Sequence, residues 1–370
     1  MVDGAQAVAA RQEVVPVGRL RSLHPGWFGS VMGTGILALA LLKNPGEAAV
    51  LATPLHDLGV ALAVVAVALA AVFTVASLAR WVAHPDAALA DLRHPVAGPL
   101  FGLFPGGLAV VAVLLTTAGR SFLPEGAVLP LVAASGLAAA SLGLVVAVVF
   151  TYLLFTGETD ARLVNGGWLI PPVINIIVPL ALLPLLPHVG AGTARLLAAV
   201  SWAYFGVGFF LFVLVVSMIH DRLVLHPLPP AALAPSLWIL LGPVGAGSLS
   251  LLGLGQASGS FFREAAPALA AVALVAVTAL WGFGIWALAA AASLLVRYLR
   301  QGPLPYSLGW WGFTFPVGAY AVATLSLARA WQSSALEYAG VALVVLLAVF
   351  WAVVAVRTVA GLATGEVWRR

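Results

Sequence analysis

The chain of 370 residues contains no cysteine and very little charge. The lack of cysteine excludes disulfide bridges, iron–sulfur clusters and thiolate chemistry, and it leaves the redox compartment open. Charged residues make up only 8% of the chain, whereas 62% of its residues are hydrophobic. Both values lie far outside the averages for soluble globular domains, so the composition excludes a soluble protein.

Carboxylates are missing from the middle of every long apolar segment. All thirteen Asp and Glu residues fall in predicted tails, loops or terminal helix turns. Proton pumps and cation carriers usually keep an acidic residue at the membrane midplane despite its cost. Because a carboxylate on the path would repel an anion, this absence favours the passage of anions. The alternative is that a hydrophobic helix bundle avoids charge in general.

The sequence patterns of enzymes and metal sites are missing as well. There is no HExxH, GxSxG or P-loop pattern, and no carboxylate pair is placed in a predicted pocket. The seven histidines lie at predicted helix ends or in loops without metal-ligand spacing, and we interpret them as interfacial residues. The arginines form no basic run. The sequence therefore predicts no enzyme, no cofactor, no metal site and no nucleic-acid partner.

Apolar runs long enough to cross a bilayer core, which takes about 20 residues, recur along the chain. Hydropathy predicts ten spans, at residues 26–43, 57–80, 97–119, 128–156, 166–187, 195–219, 233–255, 267–296, 309–328 and 338–361. The short alternating segments of a β-barrel are absent. The predicted fold class is an all-α polytopic membrane protein. Its transmembrane domain covers residues 26–361, between cytoplasmic tails at 1–25 and 362–370.

The distribution of Lys and Arg predicts the orientation of these spans. Twelve of the seventeen basic residues flank one side of the predicted bundle, and five flank the other side. Cytoplasmic loops carry the excess of basic residues in membrane proteins. We therefore expect a multi-pass protein of the inner (plasma) membrane with both termini in the cytoplasm.

Proline and glycine divide the spans into two alternating classes. The odd-numbered spans contain helix breakers, among them Pro105, Pro171, Pro243 and Pro316, whereas the even-numbered spans are regular runs of Ala, Leu and Val. Irregular backbone is costly when it faces lipid. The odd spans are therefore predicted to form an inner ring that the even spans surround.

Tryptophans at the starts of three odd spans indicate an internal repeat. Trp168, Trp238 and Trp310 are separated by seventy and seventy-two residues. A repeat of about 70 residues corresponds to one helical hairpin that is used five times. Five hairpins in quasi-fivefold order would enclose a central pore lined by the odd spans.

Neutral polar groups and helix breaks are the candidates for the lining of that pore. Hydroxyl, amide and exposed backbone N–H groups solvate an anion without holding it tightly. Each such residue taken alone is more often part of a hydrogen bond between helices. In addition to the four prolines, the candidate anion path contains Ser30, Thr34, Asn175, Ser248 and Thr314.

The ninth span carries the most distinctive cluster, in the stretch WWGFTFPVGAYAVATLSLA. Proline removes a backbone donor and bends a helix, which membrane helices tolerate mainly where buried protein or a wet cavity satisfies the freed carbonyls. Phe315 lies beside Pro316, so we expect its ring to face a passage. A phenylalanine most often packs against lipid or another helix, but a ring that closes a narrow apolar pore gates it by steric block and dewetting. Phe313 is the alternative gate if the register is shifted.

The same stretch resembles the ninth helix of the tellurite-resistance/dicarboxylate transporter family. That family includes the plant guard-cell slow anion channel, the yeast malate permease and the yeast sulfite pump, and the resemblance covers nearly the whole chain. It implies ten helices with the five odd ones around a pore, and protomers that assemble as a homotrimer in the lipid bilayer. It also implies that the phenylalanine of the TFP motif, matched here by Phe315, occludes the pore.

The sequence predicts transport of small inorganic or organic anions through a central pore. The alternative is a proton-coupled carrier or exporter for sulfite or for a C4-dicarboxylate such as malate. A carrier needs a specific substrate site, typically with a cation. No Lys or Arg lies in the core of an odd span. A membrane-embedded enzyme is a third alternative, for which no catalytic group at membrane depth is found.

Overall fold

The computed structural model describes residues 18–43, 49–259 and 261–368, so parts of both predicted tails, 1–17 and 369–370, lie outside the described residues. The described residues contain helices and no β-strand. Ten helices among them are long and apolar enough to cross a membrane: Pro25–Leu42, Thr53–Ala83, Gly98–Ser121, Glu125–Thr156, Gly166–His188, Ala191–Leu225, Ala231–Ser258, Ala266–Gln301, Leu308–Trp331 and Ser334–Thr364. The ten predicted spans are confirmed. A further short helix, Pro85–Arg93, lies between the second and third spans.

Burial separates the spans into the two predicted classes. Between 56% and 89% of the most apolar window of each odd span is buried, against 17% to 28% for the even spans. The even spans expose large apolar side chains, for example Phe155 and Phe210. Such side chains are stable on the outside only where lipid covers them. The odd spans therefore form the inside of the bundle and the even spans its apolar outer layer.

Contacts between the odd spans close a ring. The first span packs against the third and the ninth, the third against the fifth, the fifth against the seventh, and the seventh against the ninth. Each even span pairs with the odd span before it as a hairpin, and it also contacts the odd span that follows. The tenth span completes this pattern by contacting the first. The arrangement consists of five hairpins and is consistent with quasi-fivefold order.

Each odd span starts as a 3-10 helix and continues as an α-helix. The 3-10 parts are Pro25–Trp27, Gly98–Gly102, Gly166–Leu169, Ala231–Leu240 and Leu308–Phe313, and the α-helical parts are Phe28–Leu42, Leu103–Ala118, Ile170–Leu182, Leu241–Ser258 and Thr314–Trp331. Proline stands within the first three α-helical residues in four of the five, at Pro105, Pro171, Pro243 and Pro316. The first turn of an α-helix tolerates proline because its N–H groups have no partner within the helix. The irregular backbone predicted at Pro316 is therefore the 3-10 turn before it, rather than an interruption within the α-helix.

Glycine allows a close approach between the seventh and ninth spans of the ring. A Cβ atom added to Gly245 in the seventh span would overlap the backbone nitrogen of Tyr320 and the carbonyl of Ala319 in the ninth. Because the neighbouring atoms belong to the backbone, no side-chain movement would relieve the overlap. The seventh and ninth spans can pack at this distance only with glycine at this position.

We expect Gly245→Val to destabilise the protein by roughly 2 kcal/mol, the usual range for overpacking a well-packed interior. Thermal unfolding of the detergent-purified protein, followed by the loss of its monodisperse peak in size-exclusion chromatography, measures the effect. Gly282→Val is the matched control, because a Cβ atom there meets nothing within 4 Å. Equal unfolding temperatures for the two variants would contradict the close contact between the seventh and ninth spans.

Candidate functional site

A cavity of about 580 Å³ opens at the end of the ring where the odd spans begin. All five odd spans contribute to its wall. The wall residues that lie furthest along each odd span are Met32, Leu103, Val173, Gly242 and Pro316. The cavity thus passes the 3-10 turns, enters the first α-helical turns of the ring, and ends there.

Of the two candidate gate residues, the structure brings Phe315 to this cavity. Phe315 and Pro316 both belong to the wall, at its deep end, and Phe315 is 8% exposed. Phe313 packs in an aromatic cluster, with its ring centroid 5.8 Å from that of Trp238 and 5.2 Å from that of Phe350. Among the described residues that line the cavity, Phe313 is absent. The two phenylalanines therefore have different surroundings, although they are only two positions apart.

The polar side chains of the candidate anion path lie within the packed ring, away from this cavity wall. Each one forms a hydrogen bond inside the protein: Ser30 donates to the carbonyl of Trp27 at 2.7 Å, Thr34 accepts from the indole N–H of Trp351 at 3.0 Å, Asn175 donates to the carbonyl of Pro171 at 2.9 Å, Ser248 donates to the carbonyl of Val244 at 2.8 Å, and Thr314 donates to the carbonyl of Trp311 at 2.7 Å. A buried hydroxyl in apolar surroundings needs a partner, and the carbonyl of the preceding turn is the nearest one. The candidate prolines Pro105, Pro171 and Pro243 are likewise buried in the ring.

A different set of polar side chains surrounds the mouth of the cavity. One member lies just before or within the 3-10 segment that begins each odd span, and we call the set the entrance ring: His24, His94, Asn165, Ser236 and Ser307. Consecutive members are separated by 70, 71, 71 and 71 residues. This separation matches the hairpin repeat, so the five positions are equivalent. None of the five is among the site residues predicted from the sequence, and their constant spacing is the sequence signal that identifies them.

The side chains of the entrance ring hold the backbone at the start of the spans. Four of them accept a hydrogen bond from the backbone N–H two residues later: His24 from Gly26 at 3.0 Å, His94 from Val96 at 3.2 Å, Asn165 from Gly167 at 2.8 Å, and Ser307 from Gly309 at 3.2 Å. Ser236 instead donates to the carbonyl of Leu233 at 2.7 Å. In both histidines the accepting atom is Nδ1. A ring nitrogen that accepts a hydrogen bond is unprotonated, so the neutral ring carries its proton on Nε2.

The described residues on the cavity wall include no Lys and no Arg. The ionisable side chains on the wall are His24, Asp91, His94, Tyr306 and Glu366. Asp91 forms a salt bridge of 2.6 Å with the buried guanidinium of Arg80, which compensates its charge.

Tyr306 donates to the hydroxyl of Thr358 at 2.9 Å. Burial raises the pKa of the Tyr306 phenol above its ordinary value, and the nearby Glu366 carboxylate adds to the rise. Tyr306 therefore stays neutral under physiological conditions.

The backbone makes this cavity favourable for negative charge. A helix carries partial positive charge at its N-terminus, where the first N–H groups lack helical partners. All five odd spans begin at the cavity, so five such ends surround it. The described residues contain no group of His, Asp or Glu side chains that could hold a metal ion. Neutral donors and helix N-termini bind anions, whereas the Glu366 carboxylate on the wall acts in the opposite direction.

Comparison with known proteins identifies relatives along almost the entire chain. The profile of the family described as "Voltage-dependent anion channel" matches residues 22–359. An uncharacterized transporter of Methanocaldococcus jannaschii is 32% identical over 350 residues, which cover 95% of this chain and 96% of the relative. A second uncharacterized transporter of that organism is 30% identical over 356 residues, covering 95% and 98%. A sulfite efflux pump of Trichophyton rubrum is 28% identical over 363 residues, covering 95% and 93%.

Because the chain contains no cysteine, single introduced cysteines report the accessibility of the cavity directly. We expect Ser236→Cys and Ser307→Cys, at the mouth, to react with a membrane-impermeant thiol reagent that is added on one side of the membrane. Ser248→Cys and Ser250→Cys should stay unlabelled until the protein is denatured, because both serines are fully buried. Labelling is measured by a mass shift. Comparable labelling of all four variants would contradict the described cavity.

Proposed function

Since the chain belongs to the voltage-dependent anion channel family, we propose that it transports small anions across the membrane through the ring of odd spans. The observation that carries this proposal is the cavity at the head of the ring. All five odd spans line it, and their positive helix ends meet there. Its wall offers hydroxyl, amide, imidazole and backbone N–H donors without a fixed cation, so an anion is attracted but not held tightly.

Phe315 is proposed to close the path at the deep end of the cavity. Its side chain is part of the wall where the cavity ends, next to Pro316. Beyond this level the ring helices are in close contact, as Gly245 and Tyr320 illustrate. An apolar ring in a narrow passage excludes ions both by its volume and by making hydration of the passage unfavourable. A change of rotamer at Phe315 would lengthen the cavity along the ring.

Coupled carriage of sulfite or of a C4-dicarboxylate is the second candidate function. The sulfite efflux pump of Trichophyton rubrum is similar to this chain over almost its entire length, which favours sulfite as a substrate. A dicarboxylate carries two charges that must be compensated when it leaves water. The cavity wall holds no Lys or Arg for that purpose, so a malate carrier has less support. Flux that saturates with substrate and depends on an imposed pH gradient would favour a carrier over a channel.

The proposed setting is the inner (plasma) membrane, with both termini and the mouth of the cavity in the cytoplasm. The excess of basic residues on that side supports this orientation. A homotrimer is proposed from the family resemblance, with contacts through the exposed apolar faces of the even spans. The labelling side of the cysteine at position 307 would report the orientation independently.

Removal of the Phe315 ring should open the path. We expect Phe315→Ala in proteoliposomes to raise nitrate or chloride flux by roughly tenfold or more, because the ring no longer blocks or dewets the passage. The measurement is anion-dependent quenching of an entrapped fluorophore, with a potassium ionophore to balance charge.

Phe313→Ala is the matched control, since it removes the same ring from a buried aromatic cluster away from the cavity. We expect Phe313→Ala to lower stability without a rise in flux. If Phe315→Ala elutes and unfolds like the native protein and its anion flux is unchanged, Phe315 is not the gate.

A further inference from the structure

We propose that His24 and His94 control anion entry, because protonation of their imidazoles makes the mouth of the cavity cationic and releases backbone N–H groups toward the anion. The inference rests on the proposed transport of anions. The two histidines lie at the entrance of the cavity, whereas the proposed gate Phe315 lies at its deep end.

The two histidines lie on the same side of the entrance ring. They precede the first and third spans, which pack directly against each other. Both side chains belong to the cavity wall. The equivalent residues of the fifth and seventh spans, Asn165 and Ser236, have side chains that do not titrate in the physiological range. Asn165 donates to the carbonyl of Leu163 at 2.8 Å, and Ser236 donates to the carbonyl of Leu233.

No other group on the described wall can supply positive charge. The remaining ionisable wall residues are Asp91, Tyr306 and Glu366, and none of them is cationic in any protonation state. Arg80, behind the wall, is bound to Asp91, and Arg21 is bound to Asp86. Arg93 lies next to His94 in the chain but is not on the wall. Within the described wall, the two imidazoles are therefore the side chains that can supply positive charge.

Histidine is the side chain whose charge ordinarily changes between about pH 5 and pH 8. Protonation of an imidazole at the mouth adds positive charge there, and a cationic funnel raises the local concentration of anions. The predicted direction is faster anion entry as the pH falls.

Protonation also changes what the backbone offers. Nδ1 of each histidine accepts the N–H of Gly26 or Val96 in the neutral state. The proton binds at this nitrogen, after which Nδ1 is a donor and cannot accept that hydrogen bond. Gly26 and Val96 are themselves on the cavity wall. Protonation of each histidine thus frees a backbone N–H group, which can then donate a hydrogen bond to an anion.

The test measures nitrate flux in proteoliposomes with the same pH on both sides, at pH 8 and at pH 6. Nitrate is chosen because it does not titrate in this range, and equal pH removes any proton gradient. We expect the native protein and the Phe315→Ala protein to show flux that rises several-fold, up to roughly tenfold, on acidification. The double variant His24→Asn/His94→Asn should lose this rise, and each single variant should lose part of it.

The substitution copies the fifth span, where Asn165 occupies the equivalent position and accepts the same backbone hydrogen bond. The variants therefore keep an acceptor for the backbone and are expected to fold, which size-exclusion profiles and unfolding temperatures verify. His188→Asn is the matched control, because His188 lies at the opposite end of the fifth span and should leave the pH response intact.

The outcomes separate the two proposals. Absence of nitrate flux from the native and the Phe315→Ala proteins at both pH values overturns the proposed function. Flux that is independent of pH in the native protein, or a pH response that the folded double variant retains in full, overturns the role of the two histidines and leaves anion transport standing. Loss of the response in the double variant, with retention in His188→Asn, supports it.

Discussion

The structure depends on one constraint, which is that backbone N–H and C=O groups in a bilayer must be satisfied within the protein. A continuous α-helix meets this requirement at every residue, whereas a 3-10 turn or a proline leaves groups that need other partners. The even spans are continuous and face outward. The odd spans carry the 3-10 turns and most of the prolines, and they are buried. The outer layer thus shields an inner layer whose backbone could not face lipid.

The same constraint accounts for the cavity. The 3-10 turns that begin the five odd spans stand at one end of the ring, so five helix N-termini, whose first N–H groups need partners outside the α-helix, gather around a single opening. Side chains of the entrance ring satisfy part of this demand, and the remainder gives the opening its preference for negative charge. In this arrangement, an anion can be attracted without Lys or Arg side chains on the described cavity wall. In the proposed function, helix ends and neutral donors attract the anion, which suits a protein that must release its solute as readily as it binds it.

The alternation of spans broken by proline or glycine with regular spans of Ala, Leu and Val was sufficient to predict which helices lie inside. Hydropathy was sufficient to predict the ten spans, although the sixth continues to Leu225 and the eighth to Gln301, past the predicted ends at 219 and 296. Phe315 was assigned from its place beside Pro316 and from the TFP motif, and the structure brings it to the cavity.

The sequence could not predict which polar side chains line the cavity. An inner helix is apolar and buried on nearly every face, as Gly29 to Leu41 show, so no periodicity reveals which face looks toward the axis. A serine such as Ser248 can line a passage or donate a hydrogen bond to the carbonyl one turn earlier. The sequence does not distinguish these two roles. The histidines were interpreted one at a time as interfacial residues. Only comparison across the repeats places His24 and His94 in one set with Asn165.

The central claim is that negatively charged solutes cross the membrane through the ring of odd spans. The measurement that tests it most directly is the reversal potential of currents from the purified protein in a planar bilayer under a potassium nitrate gradient. The account predicts reversal close to the nitrate equilibrium potential. Reversal close to the potassium equilibrium potential would contradict it.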